Sequence, residues 1–109
     1  TGDLPEMKSA MAVELGKGPA VKVMDRSVIC TPAVVDALEQ AAKDCGVSAQ
    51  REILLCGGTD TSALQKARAG VQAGAVSIPT RYIHSPSELC AVSDVEDAAK
   101  LLTQYALQK

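Results

Sequence analysis

"GPAVKVMDRSVICTPAVVDALEQAAKDCG", residues 18–46, changes its hydrophobic period part-way along. From Gly18 to Asp25 apolar positions alternate, with Val21 and Val23 on one side and Lys22 and Met24 on the other, which predicts a strand. From Cys30 the spacing becomes that of one helical face: Val34, Val35, Leu38, Ala41, Ala42 and Cys45 form a stripe. Thr31 stands where an N-cap belongs, Pro32 suits the first helical position, and Gly46 is placed to end the helix in a left-handed turn. A strand running into a helix is the start of an α/β layer.

The same alternation continues outward. A second strand is predicted over 49–56, ending in "ILLC". Gly57 and Gly58 allow a sharp turn, and Thr59 or Asp60 can cap a helix reaching Ala69, with Gly70 beyond its end. A third strand spans 73–83, interrupted by Pro79, which removes a ladder donor and implies an edge or a bulge. A final helix opens with a capping box, Ser93-Asp94-Val95-Glu96, and packs through Val95, Ala98, Ala99, Leu102, Tyr105 and Ala106. Strand and helix alternating three times predict an α/β fold in three layers, a mainly parallel sheet with helices on both faces. The first 17 residues have a mixed pattern, with room for one more strand or a loop.

The chain has 109 residues, and its 47% hydrophobic content is that of a globular domain. Tyr82 and Tyr105 are its only aromatic residues, so Val, Ile, Leu and Ala must build the core. A net charge of −2 supplies no basic patch for phosphates, and two tyrosines are too few for base stacking, which argues against nucleic acid. No apolar stretch approaches a membrane span, and the N-terminus lacks signal-peptide order, so a cytoplasmic location is expected. The opening Thr1, with no initiator Met, implies part of a longer protein. Cys30, Cys45, Cys56 and Cys90 form no C-x-x-C pair, which favours reduced, packed thiols over a zinc knuckle.

Chemistry concentrates where strands end. Ligands of open α/β sheets bind beyond the carboxyl ends of the strands. "GGTD", 57–60, follows the second strand, and "TRYIHS", 80–85, follows the third; if those strands are neighbours, Asp60 and His84 share one rim. His84, the sole histidine, could be a metal ligand, a catalytic base, or a structural residue donating one nitrogen to a carbonyl. Asp60 could be a simple N-cap, and the glycine pair could be purely geometric. A catalytic zinc site needs three protein ligands, so this chain alone does not make one; Asp3, Asp25 and Asp60 are available, but nothing in their spacing demands it. Cys56 with His84 as its base would make a nucleophilic hydrolase. A non-catalytic α/β binding or structural module is the other alternative.

"TGDLPE" (1–6), "LGKGPAVKVMDRS" (15–27), "CGGTDTSALQKARAGV" (56–71) and "SIPTRYIHSPSEL" (77–89) stand in an order that resembles the C-terminal end of the glutamyl aminopeptidase and cellulase-M family. These are dinuclear metallo-aminopeptidases that include the tetrahedral aminopeptidases. The resemblance runs from Thr1 to Lys109 and implies the C-terminal portion of a catalytic domain, without the N-terminal half and its inserted assembly domain. It implies an enzyme that releases N-terminal residues from peptides, holds two divalent metals, zinc or cobalt, and forms homo-oligomers. His84 matches the family's last metal ligand, and Gly57, Gly58, Thr59 and Asp60 match a segment lining the substrate cleft. The other ligands and the general base fall outside this chain, so the resemblance implies that the 109 residues hold no metal tightly and are inactive by themselves. Thr61-Ser62 replaces the Ala-Gly common in the family.

Overall fold

The computed structural model describes residue 4 and residues 11–108. The Thr1-Gly2-Asp3 turn and most of the segment read as a further strand or loop lie outside the described residues; residues 11–17 form turns and irregular chain.

Strand β1 (Ala20–Met24) leads through a tight turn into helix α1 (Pro32–Asp44). The turn is built on Asp25, whose amide donates to the Val28 carbonyl at 2.9 Å. Pro32 opens α1 as expected, but the Thr31 hydroxyl does not cap it: Oγ1 instead accepts the Ala73 amide at 3.0 Å, tying the helix start to the 71–76 segment. The other end follows the sequence. Gly46 adopts φ +70°, its amide donates to the Lys43 carbonyl, and the Val47 amide reaches back to Ala42 at 2.8 Å, the paired bonds of a Schellman stop.

Strand β2 (Gln50–Ile53) lies parallel to β1, and β3 (Val76–Ser77) lies antiparallel on β1's other side, giving the order β2-β1-β3. The sheet is therefore mixed where a mainly parallel one was expected, although the α/β layering stands. Pro79 is the cause. It is buried and cannot donate to a ladder, so the predicted 73–83 strand stops at Ser77 and resumes as β4 (Thr80–Arg81), which pairs with β5 (Leu89–Cys90) in a separate antiparallel ribbon. Between β2 and β3, helix α2 is shorter than predicted, Thr61–Gln65, with residues 66–70 continuing as turns.

Helix α3 (Val92–Leu107) begins one residue ahead of the predicted capping box, with Ala91 at the N-cap position. Asp94 does other work. Buried in the first turn, it accepts the amides of Gly16 at 2.8 Å and Gly18 at 3.0 Å, and so pins the chain that feeds β1. Gly18 has to be glycine there: at φ +88°, a Cβ would fall 1.7 Å from the Ser48 carbonyl oxygen. The packing face of α3 is rotated from the predicted one, running through Asp94, Ala98, Leu101 and Tyr105, while Val95 and Leu102 are largely exposed. Leu101 joins Val21, Val28, Cys30, Val35, Leu38, Ala42 and Val47 in one core between α1, α3 and the Val21 side of the sheet.

Candidate functional site

Strand alternation puts Lys22 on the side opposite Val21. Lys22 pairs in register with Glu52 of β2, and both are buried, with 1% and 0% of their surface exposed. Charges are rarely withdrawn from water without partners. The partners are here: Lys22 Nζ lies 2.7 Å from Glu52 Oε2 and 3.7 Å from Asp25 Oδ2, and Ser77 Oγ on β3 donates to Glu52 Oε2 at 2.6 Å.

Asp25 closes the end of β1 and gathers four donors. Its Oδ1 accepts the Ser27 amide at 2.8 Å, the Ser27 hydroxyl at 2.7 Å and the Val28 amide at 3.1 Å; its Oδ2 accepts the Thr59 hydroxyl at 2.8 Å. Burial by itself would raise the Asp25 pKa, but the Ser27 and Thr59 hydrogen bonds, helped by the Lys22 charge, outweigh it and bring the value down from 3.8 to about 2. Because the folded value is the lower one, ionised Asp25 adds stability above pH 3.8, and that contribution disappears as pH falls towards 2. Asp25→Asn should therefore flatten the acid limb of the stability curve, with about 2 kcal/mol less loss between pH 4 and pH 2 than in the parent chain. Urea denaturation at several pH values checks it; an unchanged acid limb would refute the assignment.

The Asp25 turn carries the glycine loop. The Arg26 amide donates to the Gly57 carbonyl at 3.1 Å, and a Cβ on Gly58 would sit 2.7 Å from Ser27 Oγ. Residues 57–59 thus lie directly against the turn, at the carboxyl end of the parallel pair β1/β2.

The segment that leaves β3 meets this loop at a cavity of about 450 Å³. Gly57, Gly58 and Thr59 line it together with Ile78, Ile83 and His84, and Lys22 and Ser77 also contribute. Asp60 and His84 are expected to share a rim only if their strands are neighbours, and that condition does not hold. Strands β2 and β3 are separated by β1, and β3 runs the opposite way, so His84 reaches the cavity through the β4–β5 ribbon. Asp60 does not line the cavity; it is exposed, at the N-cap position of α2, with no side-chain capping bond.

His84 sits in a strained turn. Tyr82 and His84 have φ of +57° and +62°, a conformation unfavourable for side chains larger than glycine, and the His84 amide donates to Glu88. Such outliers concentrate at functional sites, where the surroundings hold them. The imidazole is exposed and lines the cavity. Among the described residues no group of three or more His, Cys, Asp or Glu side chains is arranged to hold a metal ion, so the residues present supply one donor and do not complete a site. Cys56 lines the same cavity, but no hydrogen bond joins its thiol to His84.

A sequence model of the M42 glutamyl aminopeptidase family matches residues 1–101. The chain belongs to this family. A protein of Acetivibrio thermocellus is 48% identical to this M42 chain over 104 residues, covering 95% of it and 31% of the relative. The solved structure of an aminopeptidase from the archaeon Desulfurococcus kamchatkensis superposes with a TM-score of 0.88 at 35% identity, over 98% of this chain and 31% of its own. The Pyrococcus horikoshii TET1 peptidase, described as assembling into a tetrahedron or a large octahedral shell, gives a TM-score of 0.80 at 32% identity, over 89% of this chain and 28% of its own. The M42 chain thus spans about a third of the length of these relatives.

In the sequence Lys22 stands only as one face of a strand and Asp25 only as a carboxylate available to a metal, and Ser77 carries no signal of its own. The signal available was Glu52, a carboxylate inside the predicted strand 49–56, which a buried cation on a neighbouring strand would explain.

Proposed function

We propose that these residues form the C-terminal portion of the catalytic domain of a metal-dependent aminopeptidase, which releases N-terminal residues from peptides in the cytoplasm. One observation carries this reading: in a chain matched by the M42 family, Gly57–Thr59 and His84 line one cavity. His84 would contribute one neutral imidazole nitrogen to a pair of divalent metals, zinc or cobalt, which when bound polarise a carbonyl and activate water. The chain's own part is more limited. The glycine loop shapes one wall, with backbone open enough for a peptide to approach, Ile78 and Ile83 keep another part of the lining apolar, and the β4–β5 ribbon presents the imidazole.

Homo-oligomers are the expected state of the whole enzyme, by analogy with the TET1 assemblies. For the 109 residues alone we read self-association through exposed apolar surface, as at Leu55 and Val92, and through the open edge of β2. No described helix is long and apolar enough to cross a membrane.

The reading separates what the 109 residues do from what the whole enzyme does. Calorimetric titration of the 109-residue chain should show no pair of tight zinc sites and no release of amino acids from aminoacyl-anilides. The protein encoded by the surrounding gene should cleave these substrates and lose that activity to a chelator. Two tight zinc ions per 109-residue chain would overturn the division of ligands, and a chelator-insensitive peptidase would overturn the metal.

A further inference from the structure

We propose that Lys22 is a positioning residue of the cleft: its buried ammonium joins the Gly57–Thr59 wall to the strand that leads to His84, and so sets the spacing between the two walls. Five polar groups form an unbroken path. Thr59 Oγ1 donates to Asp25 Oδ2 at 2.8 Å, Asp25 Oδ2 lies 3.7 Å from Lys22 Nζ, Lys22 Nζ lies 2.7 Å from Glu52 Oε2, and Ser77 Oγ donates to Glu52 Oε2 at 2.6 Å. The ends of this path belong to the two walls. Thr59 stands in the loop after β2; Ser77 ends β3 and passes through buried Pro79 into β4 and the His84 turn.

Cohesion alone does not account for the arrangement. A cation and two carboxylates are costly to desolvate, and apolar side chains of similar volume would hold a sheet face at least as well. What the charges add is direction. A buried carboxylate charge draws in donors with fixed geometry. The hydroxyls of Ser27, Thr59 and Ser77 answer it, together with the amides of Ser27 and Val28. The walls are thereby pulled onto β1 at fixed points, which the β1/β2 and β1/β3 ladders do not do for the loop at 57–59. Lys22 is the only member that contacts both carboxylates and also lines the cavity.

The inference rests on the cavity's being the substrate cleft, and its test is made without metal or peptide. Native-state amide exchange, followed by NMR on the 109-residue chain, reads the seating of the loop through the Arg26 amide, which donates to the Gly57 carbonyl. Ser77→Ala, at the far end of the path, should speed Arg26 exchange about fivefold to tenfold while amides in the middle of α1 stay within about twofold. Thr59→Val, at the near end, should do at least as much. In a Lys22→Met background the added Ser77→Ala change should no longer reach Arg26. An Arg26 rate indifferent to Ser77→Ala would show that the walls are held independently, and uniform acceleration of all amides would show a merely stabilising role; either overturns the proposal. If Lys22→Met does not fold, the Ser77→Ala and Thr59→Val comparisons still decide it. A failed peptidase assay would leave the exchange result standing, and a failed exchange result would leave the peptidase reading standing.

Discussion

Lys22→Met should lower the unfolding free energy of the 109-residue chain by about 3–5 kcal/mol. The reason is asymmetry. The methionine fills much the same space, so packing against β1 is nearly conserved, but Glu52 stays at 0% exposure and loses its cation at 2.7 Å. Asp25 loses the weaker contact at 3.7 Å and keeps its four hydrogen-bond donors, so most of the effect should come from Glu52. Neutralising that carboxylate is the control. Lys22→Met combined with Glu52→Gln should recover roughly half of the loss, because an amide is far cheaper to bury than a carboxylate that has lost its Lys22 ammonium, and it can still accept from Ser77. Urea denaturation of both variants gives the comparison. A Lys22→Met midpoint indistinguishable from the parent, or a double variant less stable than the single one, would show that the buried pair contributes little.

Lys22 also marks where sequence reading stops. The alternation of "AVKVM" placed it correctly on the face opposite Val21, and a lysine on a strand face is ordinarily solvated. Its burial depends on Glu52 arriving in register and on Ser77 closing the other flank, and both are tertiary events with no local signature. Local chemistry was more legible. The Gly46 stop followed from a rule about left-handed residues that depends only on neighbours. Where a polar side chain had two possible partners, the distant one won. Thr31 turned from the helix it precedes to Ala73, and Asp94 turned from a capping box to the amides of Gly16 and Gly18. Pro79 was legible as an interruption, but the second sheet beyond it and the antiparallel direction of β3 depend on partners distant in sequence. The candidate site was legible in its two motifs and not in the Asp25 and Lys22 scaffold between them. Three of the four loop residues line the cavity; Asp60, one position further on, turns into α2.

If the whole protein is the metal-dependent aminopeptidase proposed above, removing the His84 imidazole should lower its kcat more than about 100-fold and reduce bound metal, since loss of a group that merely orients a ligand already costs 10–100-fold. The choice of variant matters because of the backbone. His84 sits at φ +62°, so alanine would bring in strain of its own, whereas glycine takes that conformation freely and deletes only the side chain. His84→Gly therefore tests the imidazole, and exogenous imidazole should restore part of the metal content and activity, which a structural histidine would not allow. The Cys56 alternative needs similar care. Cys56 lines the same cavity as His84, so alkylating it would block either mechanism by bulk. Cys56→Ala is the cleaner variant. A nucleophile's removal should abolish turnover by several orders of magnitude, whereas a wall residue's should leave kcat within about threefold of the parent. Retained metal and activity in His84→Gly would remove it from the ligand set, and collapse of turnover in Cys56→Ala with metal still bound would transfer the chemistry to the thiol.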